Sequence, residues 1–185
     1  MMLYFFAFLN GVLTKYVDLV EEHGLRAPKI SGLLCGSAYG VLLSIIVRLF
    51  PEVSTLVLAV VLGTIISGKI NTRGHIAGVA LFFILIFLLG TPAINWLLFA
   101  IILAVSFADE AFNSLVLDKK KIKSKNLSLI FSVRPFLEVT VFAYSLFTGE
   151  WVIWLTLLSS DFGYNLIPKA LKSRLTSSPK ARKPS

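Results

Sequence analysis

Glutamine is absent from this 185-residue chain, cysteine occurs once, and only 15% of the residues are charged. Each shortage excludes something. The single cysteine, Cys35, forbids an intramolecular disulfide, and with two histidines beside it there is no Cys/His cluster at zinc spacing. A soluble domain carries roughly 25% charged and about 45–50% apolar residues. Here 56% are hydrophobic and the mean hydropathy is +0.83, so too few polar side chains remain to cover a water-soluble surface of this size. The composition is that of an integral membrane protein. The net charge of +8 therefore does not point to nucleic acid; in such a chain basic residues record orientation and contact with anionic headgroups. The N-terminal stretch MMLYFFAFLNGVL has no basic leader and no small-residue cleavage site, so it reads as a first, retained span.

What the chain has in plenty is long hydrophobic runs. A bilayer core of about 30 Å takes around 20 apolar residues per helix, and shorter runs are tolerated where flanking residues snorkel. Runs of this kind fall at 2–20, 31–50, 53–70, 75–91, 94–115, 127–148 and 151–168. Breakers separate most of them: His23-Gly24 with Pro28, Pro51, Asn71-Thr72-Arg73-Gly74, Gly90-Thr91-Pro92, a lysine run and Gly149-Glu150. The expected fold is all-α, a polytopic bundle of about seven transmembrane helices forming one domain over residues 1–171. The run at 75–91 is short enough to be tilted or re-entrant. The tail 172–185, rich in Ser, Pro, Lys and Arg, is expected to be disordered and drawn to anionic headgroups.

The positive charges alternate along the sequence. Lys15, Arg26 and Lys29 follow the first run, Lys69 and Arg73 the third, Lys119, Lys120, Lys121, Lys123 and Lys125 the fifth, and the basic tail the last. The connections after runs four and six carry no Lys or Arg. Because basic loops are retained in the cytoplasm, seven spans with the N-terminus outside and the C-terminus cytoplasmic satisfy every loop at once. The expectation is a multi-pass protein of the cell membrane, partnered by lipids, with anionic headgroups at the tail and at the loop 118–125. Trp96, Trp151 and Trp154 then lie near the outer interface, where amphipathic rings belong. Gly32, Gly36 and Gly40 form a small-xxx-small ridge that serves helix packing within the chain or a homo-oligomer seam.

Charged groups inside a bilayer cost about 2.5–3.5 kcal/mol each on insertion scales, so each retained one needs a partner or a function. Glu138 and Asp161 lie near the centres of runs six and seven, about ten residues or roughly 15 Å from the ends. Arg134 shares a helix face with Glu138 at i,i+4, Pro135 between them is expected to kink the helix, and Asp109 is the expected ion-pair partner of Arg134. Nearer the cytoplasmic side, Asp18 and Glu22 share one face at i,i+4, as do Asp109 and Asn113. Two such oxygen pairs suit Mg²⁺, which keeps several waters and binds together with substrate phosphates. Lys69, Arg73, His75 and Arg134 would supply positive charge and proton transfer beside it. Lys15, Glu21 and His23 read as solvated interfacial residues.

Acidic residues four apart at the cytoplasmic ends of two helices, Asp18/Glu22 and Asp109/Asn113 with Lys69 nearby, resemble the arrangement in UbiA-type membrane prenyltransferases. That resemblance implies Mg²⁺-assisted handling of an isoprenoid pyrophosphate. The chain lacks that family's spaced Asp motif, has fewer helices, and has Glu and Asn where Asp would stand; it also lacks the Asp-Gly-xx-Ala-Arg signature of CDP-alcohol phosphotransferases. The function expected from the residues is an enzyme acting on a phosphorylated lipid or isoprenoid at the cytoplasmic leaflet. The alternatives are a proton- or cation-coupled transporter using Glu138 and Asp161 as a midplane relay, and a noncatalytic scaffold.

Overall fold

The computed structural model describes residues 1–90, 92–113 and 134–171. The lysine-rich loop 118–125 and the tail 172–185 lie outside the described residues. Every element among the described residues is helical: α1 (Met2–Glu21), α2 (Lys29–Leu49), a 3-10 turn (Pro51–Val53) running into α3 (Ser54–Ile66), α4 (Arg73–Leu89), α5 (Trp96–Asn113), α6 (Pro135–Thr148) and α7 (Trp151–Ala170). Each α-helix overlaps one of the seven hydrophobic runs. Three of them, Met2–Glu21, Ile30–Leu49 and Trp96–Asn113, are long and apolar enough to cross a membrane. α3, α4 and α6 are apolar but shorter.

α6 departs from its expected start. Pro135 is its first residue, and Arg134 before it has left-handed backbone angles, φ 45° and ψ 60°. A proline at the first helical position loses no intrahelical hydrogen bond, because its missing N–H would be unpaired there anyway. The proline therefore opens α6 instead of kinking it. Glu138 accordingly lies in the first turn of α6, while Asp161 remains near the middle of α7.

The helices fall into two compact units. The first gathers α1, α2 as far as Ser44, α4 as far as Leu88, and α7 from Ser159. Here α2 and α4 run parallel with their backbones almost touching. A methyl group on Gly36 would collide with the Gly74 carbonyl, one on Gly40 with the Gly78 carbonyl, and Ser44 Oγ donates to the Phe82 carbonyl at 3.3 Å one turn further on. The glycine ridge of α2 is thus occupied by α4 within the chain. α1 and α7 approach just as closely, through Gly11 against the Ser160 carbonyl and Gly163 against the Phe8 carbonyl. Where lipid surrounds a protein, water offers no driving force between helices, and such close contact is what van der Waals attraction needs.

The second unit holds residues 45–71 and 89–158. Leu56 and Ala59 of α3, Leu98 and Ile102 of α5, Leu137 and Val141 of α6, and Ile153 and Leu157 of α7 form its core. α3 and α5 run side by side in parallel: the Asn95 amide donates to Thr55 Oγ1 at one end, and Gly63 faces Ser106 further along. Ser54 Oγ donates to the Ala93 carbonyl at 3.1 Å, tying the loop before α5 to the start of α3.

Candidate functional site

In the first unit the polar residues converge on Asp18, one turn before the end of α1. Its Oδ1 is 2.7 Å from His75 Nε2. Its Oδ2 accepts the Tyr164 hydroxyl at 2.6 Å and lies 3.3 Å from Lys15 Nζ. Lys15 also donates to Tyr164 Oη at 3.0 Å and stands 4.3 Å from the centre of that ring, so its charge is shared between a carboxylate and a π face. On the far side of the imidazole, Tyr39 Oη is 3.2 Å from Nδ1 and donates to the His75 carbonyl at 3.0 Å. Four helices therefore meet through one carboxylate and one imidazole: α1 by Lys15 and Asp18, α2 by Tyr39, α4 by His75 and α7 by Tyr164.

Local structure explains how these groups reach each other. Lys15 and Asp18 are three residues apart on α1 and share a face. Tyr39 lies across α4 because Gly78 has no side chain; a methyl there would meet the phenol ring. His75 is held in place by the start of its own helix. Glu21 of α1 accepts the Gly74 amide with both oxygens, at 3.0 and 3.2 Å, satisfying one of the free N–H groups that open α4 and placing a negative charge at the positive end of that helix. His75 is 8% exposed, and Asp18 and Lys15 are 14% and 15% exposed. The imidazole has a partner at each nitrogen.

Of the residues singled out by sequence, Asp18 and His75 meet here. Arg73 and Glu22 are exposed near the same helix ends, and Glu22 is not drawn in beside Asp18. Lys15 and Glu21, read as solvated, are instead parts of the cluster and its support. Tyr39 and Tyr164 were not anticipated; the available signal was a tyrosine inside an otherwise apolar run, whose hydroxyl needs a partner once buried. Asp161 is half-buried on α7, and its carbonyl accepts Asn165 Nδ2 at 2.8 Å.

The second unit gathers a different set. Asp109, 1% exposed, accepts the Phe136 amide at 3.2 Å through Oδ1 and the Leu137 amide at 2.7 Å through Oδ2. It caps the start of α6. Arg134 pairs with Glu110 at 3.0 Å, and its charge also acts on Asp109; with Pro135 opening the helix, the next two amides point at the Asp109 carboxylate. Glu138 Oε2 accepts the Trp154 indole N–H at 3.1 Å. Lys69 and Asn113 are half-buried, Lys69 after α3 and Asn113 as the last residue of α5.

Of the four residues expected to hold magnesium, two are engaged by donors within the protein. Both oxygens of Asp18 face hydrogen-bond donors and both of Asp109 face amides, and among the described residues no group of three or more His, Cys, Asp or Glu is placed to hold a metal ion. No known protein family, curated protein or solved structure matches the chain.

Proposed function

We propose that the protein is a multi-pass protein of the cell membrane with seven spans, an outer N-terminus and cytoplasmic basic loops, and that the Asp18 cluster is the working site of an enzyme acting on a phosphorylated lipid or isoprenoid at the cytoplasmic leaflet. The observation that carries this proposal is the gathering of an ammonium, a carboxylate, an imidazole and two phenols from four helices around a single point. Charged groups in an apolar bundle are expensive, and a clasp between helices could be built from Ser or Asn at lower cost. Their retention is what a site needs and a clasp does not.

In this reaction Lys15 and the exposed Arg73 would meet phosphate oxygens, which match cationic donors. His75, oriented by Asp18 through Nε2, would hold or release a proton, while Tyr164 keeps Asp18 in place. The test uses purified protein in nanodiscs carrying either a polyprenyl diphosphate or phosphatidic acid, followed by ³¹P NMR. Wild-type protein should convert one of them, and Asp18→Asn and His75→Gln should lower the rate by roughly 100-fold or more, the usual weight of general acid–base catalysis. Unchanged spectra with wild-type protein, or equal rates in the variants, would reject the proposal.

One observation favours a second reading. Lys15, Asp18, His75 and Tyr39 form an unbroken hydrogen-bonded line, which is also how a proton relay of a coupled transporter is built. Such a relay predicts proton flux in liposomes that His75→Gln abolishes, with no change in any phosphorus signal.

A further inference from the structure

The hydrogen bonds at His75 fix how many protons the ring holds, which neither reading of the Asp18 cluster uses. A tyrosine hydroxyl has one proton to donate and lone pairs with which to accept. Tyr39 Oη donates to the His75 carbonyl at 3.0 Å and also lies 3.2 Å from His75 Nδ1. A carbonyl oxygen only accepts, so the single hydroxyl proton is committed to it and Nδ1 has to bring its own. On the other side of the ring, Nε2 stands 2.7 Å from Asp18 Oδ1. The second oxygen of that carboxylate accepts the Tyr164 hydroxyl at 2.6 Å and lies 3.3 Å from the Lys15 ammonium, contacts made to an ionised carboxylate, which has no proton of its own to offer. Nε2 must therefore donate as well. A ring with a proton on both nitrogens is an imidazolium ion.

Charge leads to the same form. The titratable and charged groups around the ring are Lys15, Asp18 and Glu21 of α1, Tyr39 of α2 and Tyr164 of α7, with Glu21 on the Gly74 amide directly before His75. With a neutral imidazole the two carboxylates outnumber the one ammonium, and an uncompensated negative charge would lie among largely buried groups, which is costly. The second ring proton brings the sum to zero. It also makes the 2.7 Å contact to Asp18 a charge-assisted bond, for which that length is usual.

We infer that His75 is held as an imidazolium in the resting protein, and that Tyr39 is the positioning residue that keeps it so by giving the Nδ1 proton an acceptor. Tyr39 serves the neutral ring equally well. Once Nδ1 has given up its proton, the hydroxyl turns from the carbonyl to the bare nitrogen with no heavy atom displaced, so no buried group is left without a partner. The cluster is thus loaded with a proton at rest, whether an enzyme draws on it as an acid or a relay passes it on.

The experiment needs no substrate, so its result is separate from any test of turnover. The chain has two histidines, and His23→Asn leaves His75 as the one that reports. That full-length protein, labelled with ¹⁵N-histidine and purified without a histidine tag, is placed in nanodiscs near neutral pH, and the ring nitrogens are read by NMR. Two N–H resonances and no bare-nitrogen resonance are expected. Adding Tyr39→Phe should convert one of the two to a bare nitrogen, because a charged donor then faces a ring edge that cannot accept, while Asp18 keeps the other protonated. A bare-nitrogen resonance before Tyr39 is changed would overturn the imidazolium, whether or not the Tyr39→Phe protein folds. Two N–H resonances persisting in a folded Tyr39→Phe protein would overturn the role given to Tyr39.

Discussion

Replacing Asp18 with asparagine removes one acceptor oxygen and the negative charge while keeping the shape of the side chain. In the native protein the carboxylate takes His75 Nε2 at 2.7 Å and the Tyr164 hydroxyl at 2.6 Å, with Lys15 at 3.3 Å. The asparagine oxygen can keep one of the two short bonds, and its NH₂ then faces the other donor. A hydrogen bond to a charged group contributes about 1.5–3 kcal/mol, and a buried donor left without an acceptor costs a further 1–3 kcal/mol or so. The sum is about 2.5–6 kcal/mol, which brackets the roughly 3–5 kcal/mol of breaking a buried ion pair by removing one partner. At roughly 2–4 °C per kcal/mol for a chain of this size, Tm should fall by about 5–24 °C. Circular dichroism of the detergent-purified protein on heating measures it. A double-mutant cycle with Tyr164→Phe should give a coupling of about 1 kcal/mol or more, because the two residues share one hydrogen bond. A fall in Tm under about 2 °C, or strict additivity in the cycle, would refute the assignment of Asp18 as the hub.

Three further outcomes follow from the packing, the capping and the charge pattern. Gly40→Ala places a methyl group against the Gly78 carbonyl, so α2 and α4 must separate and the protein should lose about 1–3 kcal/mol, read as a lower Tm. Asp109→Ala strips the cap from the Phe136 and Leu137 amides and should destabilise by about 1–2 kcal/mol, whereas Asp109→Asn, which retains one acceptor, should lose less; equal losses would contradict the two-amide geometry. Single cysteines introduced at residues 2 and 183 in a Cys35→Ala background should label from outside in intact cells only at residue 2, and the reverse pattern would invert the proposed topology.

The helices were legible because apolar runs and their breakers are local signals: Pro51, Gly90 and Gly149-Glu150 each mark a real boundary. The start of α6 was not, since a proline inside an apolar run reads equally as a kink or as a first residue. Only the neighbour decides, and here Asp109, 27 residues before Phe136, supplies the cap. The site shows the same division. Periodicity on a single helix paired Asp18 with Glu22 and Arg134 with Glu138, but side chains choose partners across helices as well. Asp18 finds His75 and Tyr164, and Arg134 finds Glu110. Lys15 and Glu21 looked interfacial because position along α1 is all that sequence reports. Their engagement depends on α4 starting beside the end of α1, which the glycines of α2 and α4 make possible and which no single run of residues encodes.

The most direct measurement is the ³¹P NMR rate at which nanodisc-embedded protein converts a phosphorylated lipid or isoprenoid, compared between wild type and His75→Gln at a temperature where both are folded. A rate at least about 100-fold lower in the variant is the result expected if the Asp18–His75 pair carries the chemistry. Equal rates, or no conversion by the wild-type protein, would contradict it.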